Sequence, residues 1–400
     1  MNKNYRIVLS IMMFLQFFIW GAWYGQMSKY MFTQLGASGI QVGNAYSAFS
    51  IAMIVAPFFI GMIADRYFAA QKVLGVLNIL GALVLFFLIK EKEAGNFFWW
   101  ILAYCLTFAP TIALTSSISM SHMADPAKEF PTIRVMGTLA WFVVTNFVGF
   151  MGAGDKSTIF YISMIASLVL GVYSFFLPDT PPKATDKPSF AQIIGKDAFV
   201  LFKDRSYLIF FFSSILICIP LSFYYAMANP ALTDAGLTNV ENIMSLGLLS
   251  EFIFMLALPF AMRKYGVKWI LIIGLIGWII RFFLFSNGNS GPGLWMFYIA
   301  ILLHGLCFDF FFVTGMIYTD SKADKKIKSQ AQGLISFATY GVGMYIGSIL
   351  AGIVTEKYTV NGVKDWGSIW VIPSMISAVV LLLFILFFNE KKAPNPSFIQ

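Results

Sequence analysis

Apolar runs long enough to cross a membrane recur from one end of this sequence to the other. A helix rises about 1.5 Å per residue, so about 20 mostly apolar residues bridge the hydrocarbon core of a bilayer. Such runs fall at 7–34, 41–64, 71–90, 96–122, 131–152, 158–178, 206–233, 241–262, 267–286, 294–320, 329–356 and 367–389, which predicts twelve membrane helices, spans 1 to 12. A soluble arrangement is excluded by composition. Only 12% of the 400 residues are charged and 59% are hydrophobic, against roughly 25% charged in a soluble domain. The fold class is therefore all-α integral membrane, with the lipid bilayer as its main partner.

Span 1 begins with Lys3 and Arg6 but continues through Trp20, Trp23 and Tyr24 without a small-residue cleavage site. It reads as a helix and not as a signal peptide. The cysteines, Cys105, Cys218 and Cys307, lie in apolar runs at spacings that suit neither a metal nor a disulfide framework. No metal or cofactor is expected. The formal charge of +8 follows from orientation and does not call for nucleic acid. With the N-terminus inside, about nineteen Lys and Arg fall on the cytoplasmic side and about five (Lys90, Lys92, Lys156, Lys357, Lys364) on the other. Both termini are expected in the cytoplasm.

The most polar long stretch, 178-PDTPPKATDKPSFAQIIGKDAFVLFKDRS-206, divides the chain nearly in half. It predicts an N-terminal six-helix bundle over 1–178, a cytoplasmic linker over 179–205 with a short surface helix near 189–203, and a C-terminal six-helix bundle over 206–400. The halves echo each other: 61-GMIADRYFAAQKVL-74 and 258-LPFAMRKYGVKWIL-271 both set basic residues at the end of an apolar run. Internally repeated halves that can rock about a central site are a transporter signature.

Ionisable residues inside membrane helices are costly and mark function by default. The candidates are Lys29, Arg134, Glu251, Arg281, His304 and Asp309. Asp309 sits mid-span in 302-LLHGLCFDFFFVTGM-316 with no Lys or Arg at i±3 or i±4, and such a carboxylate is suited to taking up and releasing a proton. Glu251 lies in span 8 between Gly247 and Met255. Either acid can instead serve helix packing, through a fixed ion pair or an interhelical hydrogen bond. Arg134, Thr138 and Trp141 share one face of span 5 at i, i+4 and i+7, although Arg134 stands near the helix end and can simply snorkel. Gln16, Trp20 and Trp23 share a face of span 1. Lys29 and Arg281 read as interface anchors, and His304, about 140° around the helix from Asp309, as a hydrogen-bonded packing residue. Gly21 with Gly25, and Gly343 with Gly347 and Ala351, predict close helix approach. Pro220 and Pro230 predict a break across 221-LSFYYAMAN-229.

The segment Gly61-x-x-x-Asp65-Arg66 with Lys72 resembles the loop motif of the major facilitator superfamily, with Phe68 and Ala69 where a Gly and a basic residue are common. A closer match spans most of the chain. The stretches 14-FLQFFIWGAWYGQMSKYMF-32, 130-FPTIRVMGTLAWF-142, 250-SEFIFMLALPF-260, 263-RKYGVK-268, 277-GWIIRFFLF-285, 308-FDFF-311 and 329-SQAQGLISF-337 resemble the bacterial nucleoside:proton symporter family. The resemblance implies proton-coupled nucleoside import across the bacterial inner membrane by a carrier of the major facilitator fold; the sequence does not give the oligomeric state, and a monomer is the expectation. It implies proton coupling at Asp309 and Glu251, and substrate contact by Arg134, Thr138, Trp141, Ser222, Tyr225, Glu251, Phe308, Asp309, Gln16 and Trp20. The chain departs from the family pattern in span 7, where Ser222 and Tyr225 replace amides, at Leu248, and at Trp141, where a smaller aromatic is usual. Lost amides change what a site can read, so a carrier of a sugar or another small hydroxylated metabolite is the alternative. A membrane enzyme is disfavoured: the sequence shows no metal spacing, no nucleophile–base pair and only two histidines, His122 and His304.

Overall fold

The computed structural model describes residues 3–59, 67–182, 196–324 and 327–389. The chain falls into two compact units, Met1–Pro188 and Ser189–Gln400. The first contains α1 (Asn4–Gln34), α2 (Gly39–Phe59), α3 (Ala70–Leu88), α4 (Ala94–Ser121), α5 (Pro126–Phe150) and α6 (Thr158–Ser174). The second contains α7 (Arg205–Asp234), a continuous stretch Val240–Asn287, α10 (Leu294–Lys322), α11 (Lys328–Lys357) and α12 (Trp366–Phe387). The 48-residue stretch is two helices, α8 and α9, joined where Gly266 leaves helical geometry at φ 76° and ψ 168°. That backbone region suits glycine and strains other residues. Twelve membrane helices result among the described residues. The motif residues Gly61, Asp65 and Arg66 lie outside the described residues, as do residues 183–195 of the predicted linker. Of the surface helix expected near 189–203, residues Lys196–Lys203 form a 3-10 helix.

Each unit pairs its helices in the same pattern. In the first, α1 packs on α5 and α6, α3 on α4 and α6, and α2 on α4. In the second, α7 packs on α11 and α12, α9 on α10 and α12, and α8 on α10. A shift of six helices converts one set into the other, so the internal echo in the sequence is a repeat of packing. The outer surface is apolar, with Phe150, Phe176, Phe260 and Trp99 exposed. Such a surface belongs in lipid rather than water.

Small residues set the closest approaches. A Cβ on Gly21 would meet Trp141 and Val144 of α5 at 2.9 and 2.8 Å, and one on Gly347 would meet the Ser222 hydroxyl of α7 at 2.5 Å. Gly343 is equally tight against Cys218. Gly25 differs from expectation: no atom lies within 4 Å of its Cβ position, because α1 breaks at residues 24–26 and turns it away from its neighbours. The break predicted in span 7 is also absent. α7 runs unbroken through Pro220 and Pro230, with hydroxyls of Ser222 and Thr233 donating to the carbonyls of Cys218 and Asn229.

Candidate functional site

In the second unit, the backbone at the centre of α10 departs from α-helical geometry. Asp309–Val313 forms a π-helical turn, and the N–H and hydroxyl of Thr314 both reach back to the Asp309 carbonyl. Such turns are rare and frequent at functional sites. Gly274 of α9 admits it, since a Cβ there would lie 3.2 Å from the Phe310–Phe311 peptide. Asp309 is 0% exposed, and neither carboxylate oxygen has a hydrogen-bond partner among the described residues. A buried polar group of this kind is expensive, so a role for it is required beyond packing. A second π-helical turn, Phe337–Gly343, interrupts α11. Nothing in the sequence pattern signals either turn.

Glu251 is half-buried on α8, and its Oε2 stands 3.9 Å from His304 Nε2 of α10. The other imidazole nitrogen, Nδ1, is 3.0 Å from Nη1 of Arg281 on α9. Arg281 is itself fully buried, with its guanidinium 3.7 Å over the Tyr224 ring. The reading of Arg281 as an interface anchor is therefore corrected. The side chain lies on the same inward face of α9 as Trp278, Phe282 and Phe285. His304, read as a hydrogen-bonded packing residue, has such a bond to the buried Arg281 and stands between that cation and Glu251. Tyr224 stacks on the imidazole with centroids 5.1 Å apart, Phe308 lies 5.8 Å away, and half-buried Tyr225 lies 6.5 Å away. Tyr224, absent from the sequence-derived set, belongs with this cluster. Ser222 does not: its hydroxyl donates within α7 to Cys218 and meets Met344 of α11 at 3.2 Å. It is a helix-packing residue held against α11.

In the first unit, Trp20 and Trp141 stand together, centroids 4.9 Å apart at 56°, and Trp20 also stacks on Phe49 at 4.8 Å. Arg134 is exposed, with its guanidinium 4.1 Å over Phe17. Gly137 makes room for that pair, because a Cβ there would meet Arg134 Nη1 at 2.6 Å and Phe17 at 2.8 Å. Thr138 and Trp141 are half-buried on the same face of α5. Gln16 donates from Nε2 to the Thr111 hydroxyl of α4 at 2.7 Å, and its buried Oε1 has no partner among the described residues. The first unit thus offers flat aromatic surface and a planar cation. The second offers two acids in different settings.

Two units with one repeated packing pattern, twelve membrane helices and a fully buried acid, Asp309, at the centre of one of them define a secondary transporter of the major facilitator type. Within that class, residues 1–393 match the family model described as nucleoside H+ symporter, and the chain belongs to that family. It is 41% identical to a putative nucleoside transporter, YegT, of Escherichia coli over 96% of this chain and 93% of that protein. It is 34% identical to the xanthosine permease of the same organism, covering 98% and 97% of the two chains. The crystal structure of the nucleoside transporter NupG superposes with a TM-score of 0.88 at 31% identity, covering 98% of this chain and 100% of that one.

Proposed function

We propose that this chain imports a nucleoside together with protons by alternating access, with Asp309 carrying the proton and Glu251 accepting hydrogen bonds from substrate hydroxyls. Phe308, Trp20 and Trp141 supply flat surface for the base, and Arg134, Thr138, Gln16 and Tyr225 orient its polar edge. The proposal assigns Ser222 to packing. The observation that carries it is the fully buried Asp309 carboxylate without a donor. A proton or a ligand hydroxyl supplies what the protein withholds, which is what coupling requires. The sugar alternative is set aside, since the family match over residues 1–393 is to nucleoside symporters. The asymmetry of Lys and Arg along the sequence supports a bacterial inner-membrane location with both termini in the cytoplasm.

The test is uptake by proteoliposomes of uridine, cytidine, adenosine, inosine, guanosine and xanthosine under an imposed inward proton gradient. Wild-type protein should concentrate at least one of them. Asp309→Asn should abolish uphill accumulation while sparing exchange of internal for external nucleoside. Undiminished uphill uptake by that variant removes Asp309 from coupling.

A further inference from the structure

The buried Arg281 guanidinium has no place in the cycle above, yet no packing role requires a cation there. Its side chain is fully buried, and its Nε and Nη2 lack hydrogen-bond partners among the described residues. Its Nη1 is hydrogen-bonded to His304 Nδ1 at 3.0 Å. A guanidinium only donates, so Nδ1 must accept, and the neutral ring then carries its hydrogen on Nε2. That N–H faces Glu251 Oε2 at 3.9 Å, longer than a hydrogen bond. The ring cannot swing freely, since Tyr224 stacks on it at 5.1 Å and Gly247 of α8 seats its Cβ closely. Glu251, half-buried, is the partner with room to move. The ionisable groups facing the ring are Glu251 from α8, Arg281 from α9, and Tyr224 and Tyr225 from α7; Cys307 and Asp309 are the nearest ones in sequence on its own helix, Asp309 about 140° around it.

We propose that Arg281 and His304 are positioning residues for Glu251. Arg281 fixes the imidazole so that its Nε2–H is aimed at the carboxylate, and this bond closes when substrate is loaded. Glu251 then presents its other oxygen to the substrate hydroxyls in one orientation, with a buried cation behind it. The role rests on the assignment of Glu251 as the substrate-gripping acid. It places the specificity for a hydroxylated solute on a three-residue chain drawn from α8, α9 and α10, of which only Glu251 touches substrate.

The experiment measures KM and Vmax for whichever of the six nucleosides above the wild-type protein transports best. His304→Phe keeps the ring and removes the N–H, and should raise KM about tenfold or more, as for loss of one charge-assisted hydrogen bond, with Vmax per folded carrier nearly unchanged. His304→Gln, whose amide both accepts from Arg281 and donates to Glu251, should return KM to within about threefold of wild type. On a Glu251→Gln background, His304→Phe should raise KM no further, because its effect passes through Glu251. A purely structural histidine would lower the yield of folded carrier and leave KM alone. The inference is overturned if Glu251→Gln raises KM while His304→Phe does not, or if the two effects multiply. If Glu251→Gln leaves KM unchanged, the assignment of Glu251 itself falls, and the role of the pair with it. Should His304→Phe not fold, Arg281→Met carries the same expectations.

Discussion

Gly305→Ala tests how tightly the seam between α8 and α10 holds the second unit's polar cluster. A Cβ at Gly305 would come into hard contact with the Ser250 carbonyl carbon and stand 2.5 Å from the Glu251 nitrogen. Both are backbone atoms, so no side-chain rotation relieves the clash. Ordinary Cβ contacts begin near 3.4 Å, so the helices must part by roughly 1 Å, an overpacking that costs about 1–3 kcal/mol. Parting them also stretches the bond from the Gly305 N–H to the Ser250 hydroxyl, now 3.0 Å, worth about 1 kcal/mol. The gain in helix propensity offsets about 1 kcal/mol of this. A net loss of about 1–3 kcal/mol is expected, read as a lower unfolding temperature in detergent and, because the Glu251 peptide itself moves, a higher KM. Gly333→Ala is the control. Gly333 lies in a helix with no atom within 4 Å of its Cβ position, so alanine there should stabilise by about 0.5–1 kcal/mol. If Gly305→Ala unfolds at the wild-type temperature and transports with the wild-type KM, the close seam has no energetic consequence and the reasoning fails.

Ser222→Ala should cost about 1 kcal/mol of stability through its lost bonds within α7 and to α11, with KM unchanged in uptake assays; a large rise in KM would return Ser222 to the substrate site. At the other end of the second unit, burial raises the Asp204 carboxyl, but the Lys322 ammonium at 2.7 Å and the backbone N–H groups of Tyr207 and Ser206 outweigh it and hold it below the usual carboxylate range. A lowered folded value means stability present above the ordinary value of 3.8 and lost as pH falls through the lower one. Asp204→Ser, which keeps a capping oxygen for α7, should flatten the acid side of the unfolding temperature against pH; an unchanged acid limb would show that the ion pair contributes nothing.

The spans were legible because lipid leaves a chain few options: every backbone group in the membrane must be satisfied within a helix. The turn at Gly266 fell between spans 8 and 9 for the same reason. A heptad-like spacing also placed Arg134, Thr138 and Trp141 on one face, as found. What periodicity does not supply is the identity of the facing helix. Arg281 was flagged as costly but assigned to the interface, because distance from a helix end is readable and inwardness is not. Ser222, three residues from Tyr225 and therefore on a neighbouring part of the same face, is covered because α11 approaches α7 so closely at Gly347. The π-helical turn at Asp309 arises from packing against Gly274, a contact between residues 35 positions apart, and no local preference encodes it. The hairpin of β1 (Thr359–Val360) and β2 (Val363–Lys364) did have a signal, 361-NG-362, whose two positive φ values suit a tight turn.

The two acids of the second unit differ in what the protein gives them, and that difference sorts their roles on the proposed cycle. Glu251 has an imidazole N–H, oriented by a buried cation, within 3.9 Å. Its negative charge has compensation built in, so it can remain an acceptor for hydroxyl groups throughout. Asp309 has no donor among the described residues, and a buried carboxylate left alone is among the costliest groups a fold can hold. A proton removes that cost and turns an acceptor into a donor at the same position. Asparagine imitates the protonated acid, since its amide donates and cannot ionise. Asp309→Asn should therefore be locked in the loaded form of the coupling site, able to exchange nucleoside across the membrane and unable to draw on the gradient. Glu251→Gln should fail in the opposite order, with weakened binding in exchange and accumulation alike. The same two assays, run on both variants, separate a proton carrier from a substrate grip without reference to either side chain's appearance in the structure.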